Sequence, residues 1–486
     1  MDRALAAAPV ASLAFAATLA LAALAVRNGL VGDDALRLWA GASIAADGAV
    51  PIGRIVAGYP TLPFLSTTLV AWLAPAGAPA PALVAAGLFA LFTTFCFLSF
   101  RRTGLSRVVA TIATVLVAFH PALLRAVVAG PADVFLAAFM LMLCLALYDL
   151  RARSGTSEVM GVGLALMALA FSHPLGAALA FAAIPFLAFA VRPRLVASSA
   201  LNVVIALIFP TLFMIAAFAY VSWIFPGDGW SFFAAPAESL SLWTAAVARV
   251  FGNGVSGVPA IDASLAMAAA VAIGAPVALV MLALVHRRRP LVVPAAVFIA
   301  TTIAATAIVV LSGFFGDPTA IIVAAPVLAA TVIMRVPVAR ERTAFVIAWL
   351  VIGWIGGCFG LAWVDPITAN RLGAAFSDRA GARLDAVAAG GATRGHEGVL
   401  ADTGNAPSFL LGRGRARGIL GPDSEPFALA MLFARIDTPL VAVPDPQSAS
   451  GANDRLDRAF PSLFRAGLPG YRIIYQNNTW RIFARL

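Results

Sequence analysis

PVASLAFAATLALAALAV, residues 9–26, followed at once by RNGLVGDD, residues 27–34, decides the class of this chain. The first part is apolar over nearly the ~20 residues that a helix needs to cross a bilayer. The second ends in two adjacent carboxylates, Asp33 and Asp34, just beyond the span. An ionised carboxylate at a membrane edge costs free energy unless it serves something, so the pair marks a candidate site.

Composition carries the same reading across the whole chain. Hydrophobic residues make up 62% of 486, charged residues 12%, and mean hydropathy is +0.94, more apolar surface than a soluble domain can hide. The expected class is an all-α polytopic membrane protein. With only Arg3 as a positive flank, the first helix reads as retained rather than as a cleaved signal. Cys96, Cys144 and Cys358 all fall in apolar runs, which implies neither a disulfide framework nor a cysteine metal site. The chain contains no Lys, so all 33 basic side chains are Arg. The net charge of +10 sits in loop clusters rather than along one face, which argues against nucleic acid as a partner.

Apolar stretches predict about eleven transmembrane helices, near 9–27, 80–100, 107–125, 131–149, 158–173, 175–191, 197–222, 264–285, 290–312, 319–336 and 343–363. Residues 158–173 and 175–191, split at Ser172-His173-Pro174, can equally form one broken element. The clusters Arg101-Arg102-Arg107, Arg151-Arg153, Arg192-Arg194, Arg287-Arg288-Arg289 and Arg335-Arg340-Arg342 then fall in alternate loops, all on one side. By the positive-inside rule that side is cytoplasmic, with the N-terminus inside and the C-terminus outside.

The opposite side carries the unusual loops. The first contains Asp33, Asp34, Arg37, Arg54 and Tyr59, and its stretch 33–46 reads as an amphipathic helix lying in the interface. Thr61 to Pro75 is apolar but short, and reads as a second surface helix. Later outer loops hold Arg125 and Asp133, then Asp228, Trp230, Glu238, Trp243 and Arg249, then Asp317. An outer cavity lined by acids, arginines and aromatic residues, Tyr59, Trp230 and Glu238 among them, is the expectation.

Beyond Trp363 the composition becomes that of a water-soluble domain. Strand-like runs at 398–401, 439–443, 471–475 and 480–484 alternate with helix-like runs at 408–411, 426–436 and 454–466. The last two strands join through Gln476-Asn477-Asn478-Thr479, a hairpin turn. The expected division is a membrane domain, 1–363, and a small extracytoplasmic α/β domain, 364–486. Gly412 to Gly418, with Arg413, Arg415 and Arg417, reads as an exposed loop near an anionic membrane or a sugar.

An ordered series of short motifs carries a resemblance over residues 1–195: Gly32-Asp33-Asp34-Ala35-Leu36-Arg37 after the first span, Tyr59-Pro60-Thr61-Leu62-Pro63, Arg101-Arg102-Thr103-Gly104, His120-Pro121-Ala122-Leu123-Leu124-Arg125, Gly130-Pro131-Ala132-Asp133 and Ser172-His173-Pro174-Leu175-Gly176. This order is similar to the GT-C membrane glycosyltransferases of the protein O-mannosyltransferase and aminoarabinose (lipid A) transferase type. Asp33-Asp34 stands where that family commonly has Asp-Glu, Tyr59-Pro60 where it has Pro-Pro, and His173 where it has Lys. The resemblance implies a GT-C-like core and transfer of a sugar from a polyprenyl-phosphate donor to a lipid, glycan or protein acceptor outside a bacterial cytoplasmic membrane, usually with inversion. Its catalytic carboxylates resemble Asp33 or Asp34, and Asp133.

The residues suit that chemistry. A carboxylate can take the proton of an attacking hydroxyl, and a leaving phosphate needs cations such as Arg54, Arg125, Arg249 or His173. No His-rich metal centre is visible, although carboxylates leave a divalent ion open as a cofactor. Each assignment has a simpler rival: Asp33-Asp34 as helix cap or partner of Arg37, Asp133 as dipole partner after Pro131, Arg125 as an interfacial anchor, His173 as a helix-end group. The alternative function is a non-catalytic membrane subunit or a transporter of lipid-linked saccharides.

Overall fold

The structure is a computed structural model that describes residues 2–27, 33–48, 50–75, 78–224, 256–315, 318–336, 343–365, 381–422, 424–448, 451 and 453–486. In chain order the helices are α1 (Asp2–Arg27), α2 (Asp33–Ala46), α3 (Ile52–Ile55), α4 (Thr61–Leu73), α5 (Ala80–Arg102), α6 (Arg107–Ala118), α7 (Pro121–Ala129), α8 (Pro131–Arg153), α9 (Thr156–Ser172), α10 (Pro174–Ala190) and α11 (Pro193–Ile224). They continue with α12 (Pro259–Gly274), α13 (Pro276–Leu284), α14 (Arg289–Ser312), α15 (Ala324–Arg335, preceded by a 3-10 turn over Pro318–Val323), α16 (Thr343–Val364), α17 (Gly381–Ala392), α18 (Ser408–Arg413), α19 (Glu425–Phe433), α20 (Arg455–Ala459) and α21 (Leu463–Ala466). The strands are β1 (Val399–Leu400), β2 (Ile419–Leu420), β3 (Leu440–Pro444), β4 (Tyr471–Gln476) and β5 (Trp480–Arg485).

These elements form two compact units: residues 1–21 with 85–370, and residues 22–84 with 371–486. The second is discontinuous, a grouping that the sequence division at 363/364 does not anticipate.

In the first unit, seven helices among the described residues are long and apolar enough to cross a membrane, or up to nine if each of two bent pairs is one span. The stretches read from sequence as single spans at 107–125 and 264–285 are in fact broken, by 54° between α6 and α7 and by 79° between α12 and α13. The cause is local, since Pro121 and Pro276 open the second helix of each pair and cannot donate into the preceding turn. Helices α9 and α10 stand as separate 17-residue helices, shorter than a comfortable span.

Small residues let these helices approach closely, the packing mode available where hydrocarbon offers no hydrophobic drive. On α16, a Cβ at Gly357 would come within 2.5 Å of the buried His120 ring, and one at Gly356 would strike the Ile273 carbonyl. Gly130, at φ +131°, makes the turn from α7 into α8, and Pro131 then starts α8 at a position where the missing N–H is not needed.

The second unit has a five-stranded sheet in the order β2-β1-β3-β5-β4. Strand β1 runs parallel to β2 and β3, whereas β3–β5 and β5–β4 are antiparallel. Asn477 closes the β4–β5 hairpin, its Oδ1 accepting from the Thr479 and Trp480 amides at 3.1 and 2.7 Å. Alternation of strand side chains produces two cores. Leu400, Val441, Val443 and Phe483 face Phe427 and Ala430 of α19, Leu456 of α20 and Leu463 of α21. Val399, Ala401, Leu440, Ala442, Trp480 and Ile482 face α17 and α18, and also Leu38, Ala40, Ala42 and Ile44 of α2, with Ile55 and Phe64.

Candidate functional site

The residues named from sequence fall into both units. In the membrane unit, Arg125 of α7 lies at the centre of a buried polar cluster. Its Nη1 donates to Asp133 Oδ2, its Nε to Asp365 Oδ2 at 3.0 Å, and its Nη2 to Thr319 Oγ1 at 2.6 Å. His173 joins through Nε2, 3.2 Å from Asp133 Oδ1. All five residues are between 4% and 9% exposed. The groups come from α7, the first turn of α8, the α9–α10 junction, the turn before α15 and the residue following α16, so the cluster ties five segments together.

That arrangement limits what each group can do. The Arg125 guanidinium serves two buried carboxylates and a hydroxyl. Both ring nitrogens of His173 are engaged as well: Nδ1 accepts from the Leu175 amide at 3.1 Å, which leaves the proton on Nε2 to be donated to Asp133. Asp133, in turn, is held by Arg125 and His173. Among the described residues the cluster is thus a clamp in which Arg125 meets two carboxylates. Asp365 and Thr319 were not named from sequence. Asp365 had a signal, an acid directly after an apolar helix; Thr319 had none.

In the other unit, α2 opens at Asp33, and Asp34 and Arg37 lie exposed in its first turns. An acid here suits the positive end of the helix dipole. The inner face of α2 is covered by protein: Leu38, Ala42 and Ile44 are buried against the α/β core. The helix expected in the membrane interface therefore spends its apolar face on the domain. By contrast, α4 buries Pro63, Phe64 and Thr67 and exposes Leu65, Leu69, Trp72 and Leu73.

Tyr59, expected to line a cavity, is half-buried and packs within its own unit, stacked on Phe64 with ring centroids 5.1 Å apart and lying against Gly41. Arg54 falls in α3, and its side chain, like that of Asp33, lies outside the described residues. Trp230, Glu238 and Arg249, with Asp228, Trp243 and Asp317, lie outside them entirely.

The Gly412–Gly418 loop divides in its roles. Arg413 is buried and donates to the carbonyls of Thr393, His396 and Arg417, while Arg415 and Arg417 are exposed. Among the described residues, no group of three or more His, Cys, Asp or Glu side chains is arranged to hold a metal ion. Compared with family models, curated proteins and solved structures, the chain gives no match.

Proposed function

We propose that this chain is an integral-membrane glycosyltransferase of GT-C architecture that moves a sugar from a polyprenyl-phosphate donor to a lipid, glycan or protein acceptor outside a bacterial inner membrane. The observation that carries the reading is the acidic opening of α2, a short helix just beyond the first span, held by a folded α/β domain. In the reaction the acceptor oxygen forms a bond to the anomeric carbon as the bond to the phosphate oxygen breaks. Asp33 or Asp34 takes the acceptor proton, and polyprenyl phosphate leaves with its charge met by guanidinium groups. With Arg125 and His173 committed to the clamp, the cation proposed for the phosphate, in the same unit as Asp33 and Asp34, is Arg54. Asp133 then supports the membrane unit through Arg125 rather than acting as a base.

Counting α9 and α10 with the nine other spans gives eleven crossings. In the proposed orientation the N-terminus is cytoplasmic and the α/β domain periplasmic.

The test is single-turnover transfer from a polyprenyl-phosphate sugar by purified protein in nanodiscs, together with mass spectrometry of the lipid that copurifies. Asp→Asn at the correct one of Asp33 and Asp34 keeps shape but removes proton acceptance, and lowers turnover on the order of a hundredfold. Near-native turnover by both variants returns the pair to helix capping.

One observation favours a second reading. The two broken spans meet at His120, whose Nε2 lies 3.2 Å from the Gly274 carbonyl, and discontinuous helices are common where transporters bind substrate. A transporter of lipid-linked saccharides would move that lipid between leaflets with no sugar transferred.

A further inference from the structure

Helix α2 has 14 residues, about the length below which an isolated helix is marginal in water. Its stability and direction therefore come from what it packs against. Three contacts supply both, all within one compact unit. Leu38, Ala42 and Ile44 share a core with Phe409 and Trp480 of the α/β domain. The ring of Tyr59 occupies the space that a Cβ at Gly41 would need. At the C-terminal end, Asp47 Oδ2 accepts from the amides of Ala416 and Arg417, at 2.7 and 3.0 Å, in the loop that follows α18. The last contact joins residues more than 360 positions apart in sequence.

We infer that the α/β domain aims α2, and with it the Asp33–Asp34 pair, and that Asp47 is the positioning residue for those acids. The inference rests on the transferase reading for its catalytic consequence, but not for its structural half. A 14-residue helix is a rod of roughly 20 Å, so a tilt of about 5° at the clasp displaces the acidic end by roughly 2 Å. A misplacement of about 1 Å at reacting groups costs on the order of a hundredfold in rate. Loosening the clasp therefore lowers kcat while leaving the KM for donor unchanged, because Asp47 touches neither phosphate nor sugar.

The experiment uses the full chain in nanodiscs and compares native protein with Asp47→Ala and Asp47→Asn. Asparagine keeps an oxygen able to accept the same two N–H groups, so it serves as the conservative rescue. Hydrogen–deuterium exchange of peptides covering 33–46 is measured beside transfer kinetics. We expect exchange of α2 to rise about three- to tenfold in Asp47→Ala, with kcat falling by at least tenfold at constant KM, and both to return to within about threefold of native in Asp47→Asn. Unchanged exchange in Asp47→Ala overturns the inference, and so does a fall in kcat that Asp47→Asn fails to rescue. If Asp47→Ala does not assemble, Asp47→Glu, which keeps the charge and displaces the oxygen, is expected to give the same two changes, and native behaviour overturns the inference. Faster exchange in Asp47→Ala with no transfer by any form, native included, supports the structural half and removes the transferase reading instead.

Discussion

Two histidines use the same local device, and it shows which part of a residue's role can be read from sequence. His120 and His173 each precede a proline that opens a helix, and each accepts the second helical amide at Nδ1, from Ala122 at 3.2 Å and Leu175 at 3.1 Å. His-Pro at the end of an apolar run announces a helix start, and so far the sequence suffices. The Nε2 partners, the Gly274 carbonyl and Asp133, come from distant helices, and no local pattern names them. Arg125 is similar: it and Asp133 were candidates on their own merits, but their pairing and the addition of Asp365 and Thr319 depend on tertiary packing. Removing the cation takes a charged partner from each of two buried carboxylates, so Arg125→Met is expected to destabilise the membrane unit by about 3–5 kcal/mol in denaturant unfolding. Unaltered stability with weakened binding of a polyprenyl phosphate would instead make Arg125 a ligand for the donor. In the α/β domain, Asp454 caps α20 by accepting from the Asp457 amide at 2.9 Å, and burial, reinforced by Asp402, pushes its pKa up to about 7. An unfolded aspartate loses its proton near pH 3.9, so between about pH 4 and 7 the folded state binds more protons. The stabilisation is complete below that window and is lost as pH rises through it, with a slope of at most about 1.4 kcal/mol per pH unit. Asp457, shifted up chiefly by burial, acts in the same sense. Asp454→Asn keeps a capping oxygen and is expected to flatten the pH dependence of the urea midpoint, followed by proteolysis of residues 381–486. Parallel pH profiles for the two proteins would show that Asp454 is ionised throughout.

At the scale of elements, hydropathy found the seven candidate spans that stand among the described residues and missed what interrupts two further apolar runs. The runs at 107–125 and 264–285 stay apolar across the breaks, so a window average cannot see that Pro121 and Pro276 turn the chain by 54° and 79°. In the α/β domain the β4–β5 hairpin was legible from its turn residues, whereas β2, two residues long, has no pattern of its own. The 454–466 stretch, read as one helix, is two, α20 and α21, interrupted near Pro461. An amphipathic pattern shows that one face of a helix is covered, but not by what. Helices α2 and α4 differ on just this point: α2 turns its apolar residues onto the sheet, while α4 leaves Leu65, Leu69, Trp72 and Leu73 exposed at i, i+4, i+7 and i+8. That stripe suits a bilayer surface, with Trp72 at headgroup level. A nitroxide at Leu69→Cys is therefore expected to be relaxed by oxygen dissolved in lipid and shielded from a water-soluble nickel chelate. A label at Arg37→Cys, on the exposed side of α2, should show the reverse. Equal exposure of both labels to the nickel chelate would place α4 in water.

For the whole molecule, the compositional change after Trp363 announced a second folded body, but not that residues 22–84 belong to it. That grouping depends on contacts such as Asp47 with Ala416, across more than 360 residues, and no window of sequence reaches so far. Orientation in the membrane is the proposed property on which the sequence bears most directly, through charge. Among the described residues, seven spans, nine with the bent pairs and eleven with α9 and α10 are all odd, and the proposed topology accordingly has the two ends of the chain on opposite sides. The turns after α5, α8, α10, α13 and α15 all carry arginines, and each lies on the same side under any of these counts in which both bent pairs cross. Translocating those arginines costs more than retaining them, and in the proposed orientation that side is the cytoplasmic one. A phosphatase reporter, active only outside the cytoplasm, is accordingly expected to be silent when fused after Arg289 and active when fused after Leu486. A cytoplasmic reporter such as a fluorescent protein should show the opposite at the same two sites. Activity of the phosphatase at both positions, or at neither, would require an even number of crossings between Arg289 and the end of the chain. In that case either α14, the segment containing α15, or α16 fails to cross. With activity at neither, the α/β domain would share the cytoplasm with the arginine loops, where the acidic opening of α2 could not meet an extracytoplasmic acceptor; with activity at both, the arginine loops would lie outside and the proposed orientation would fall.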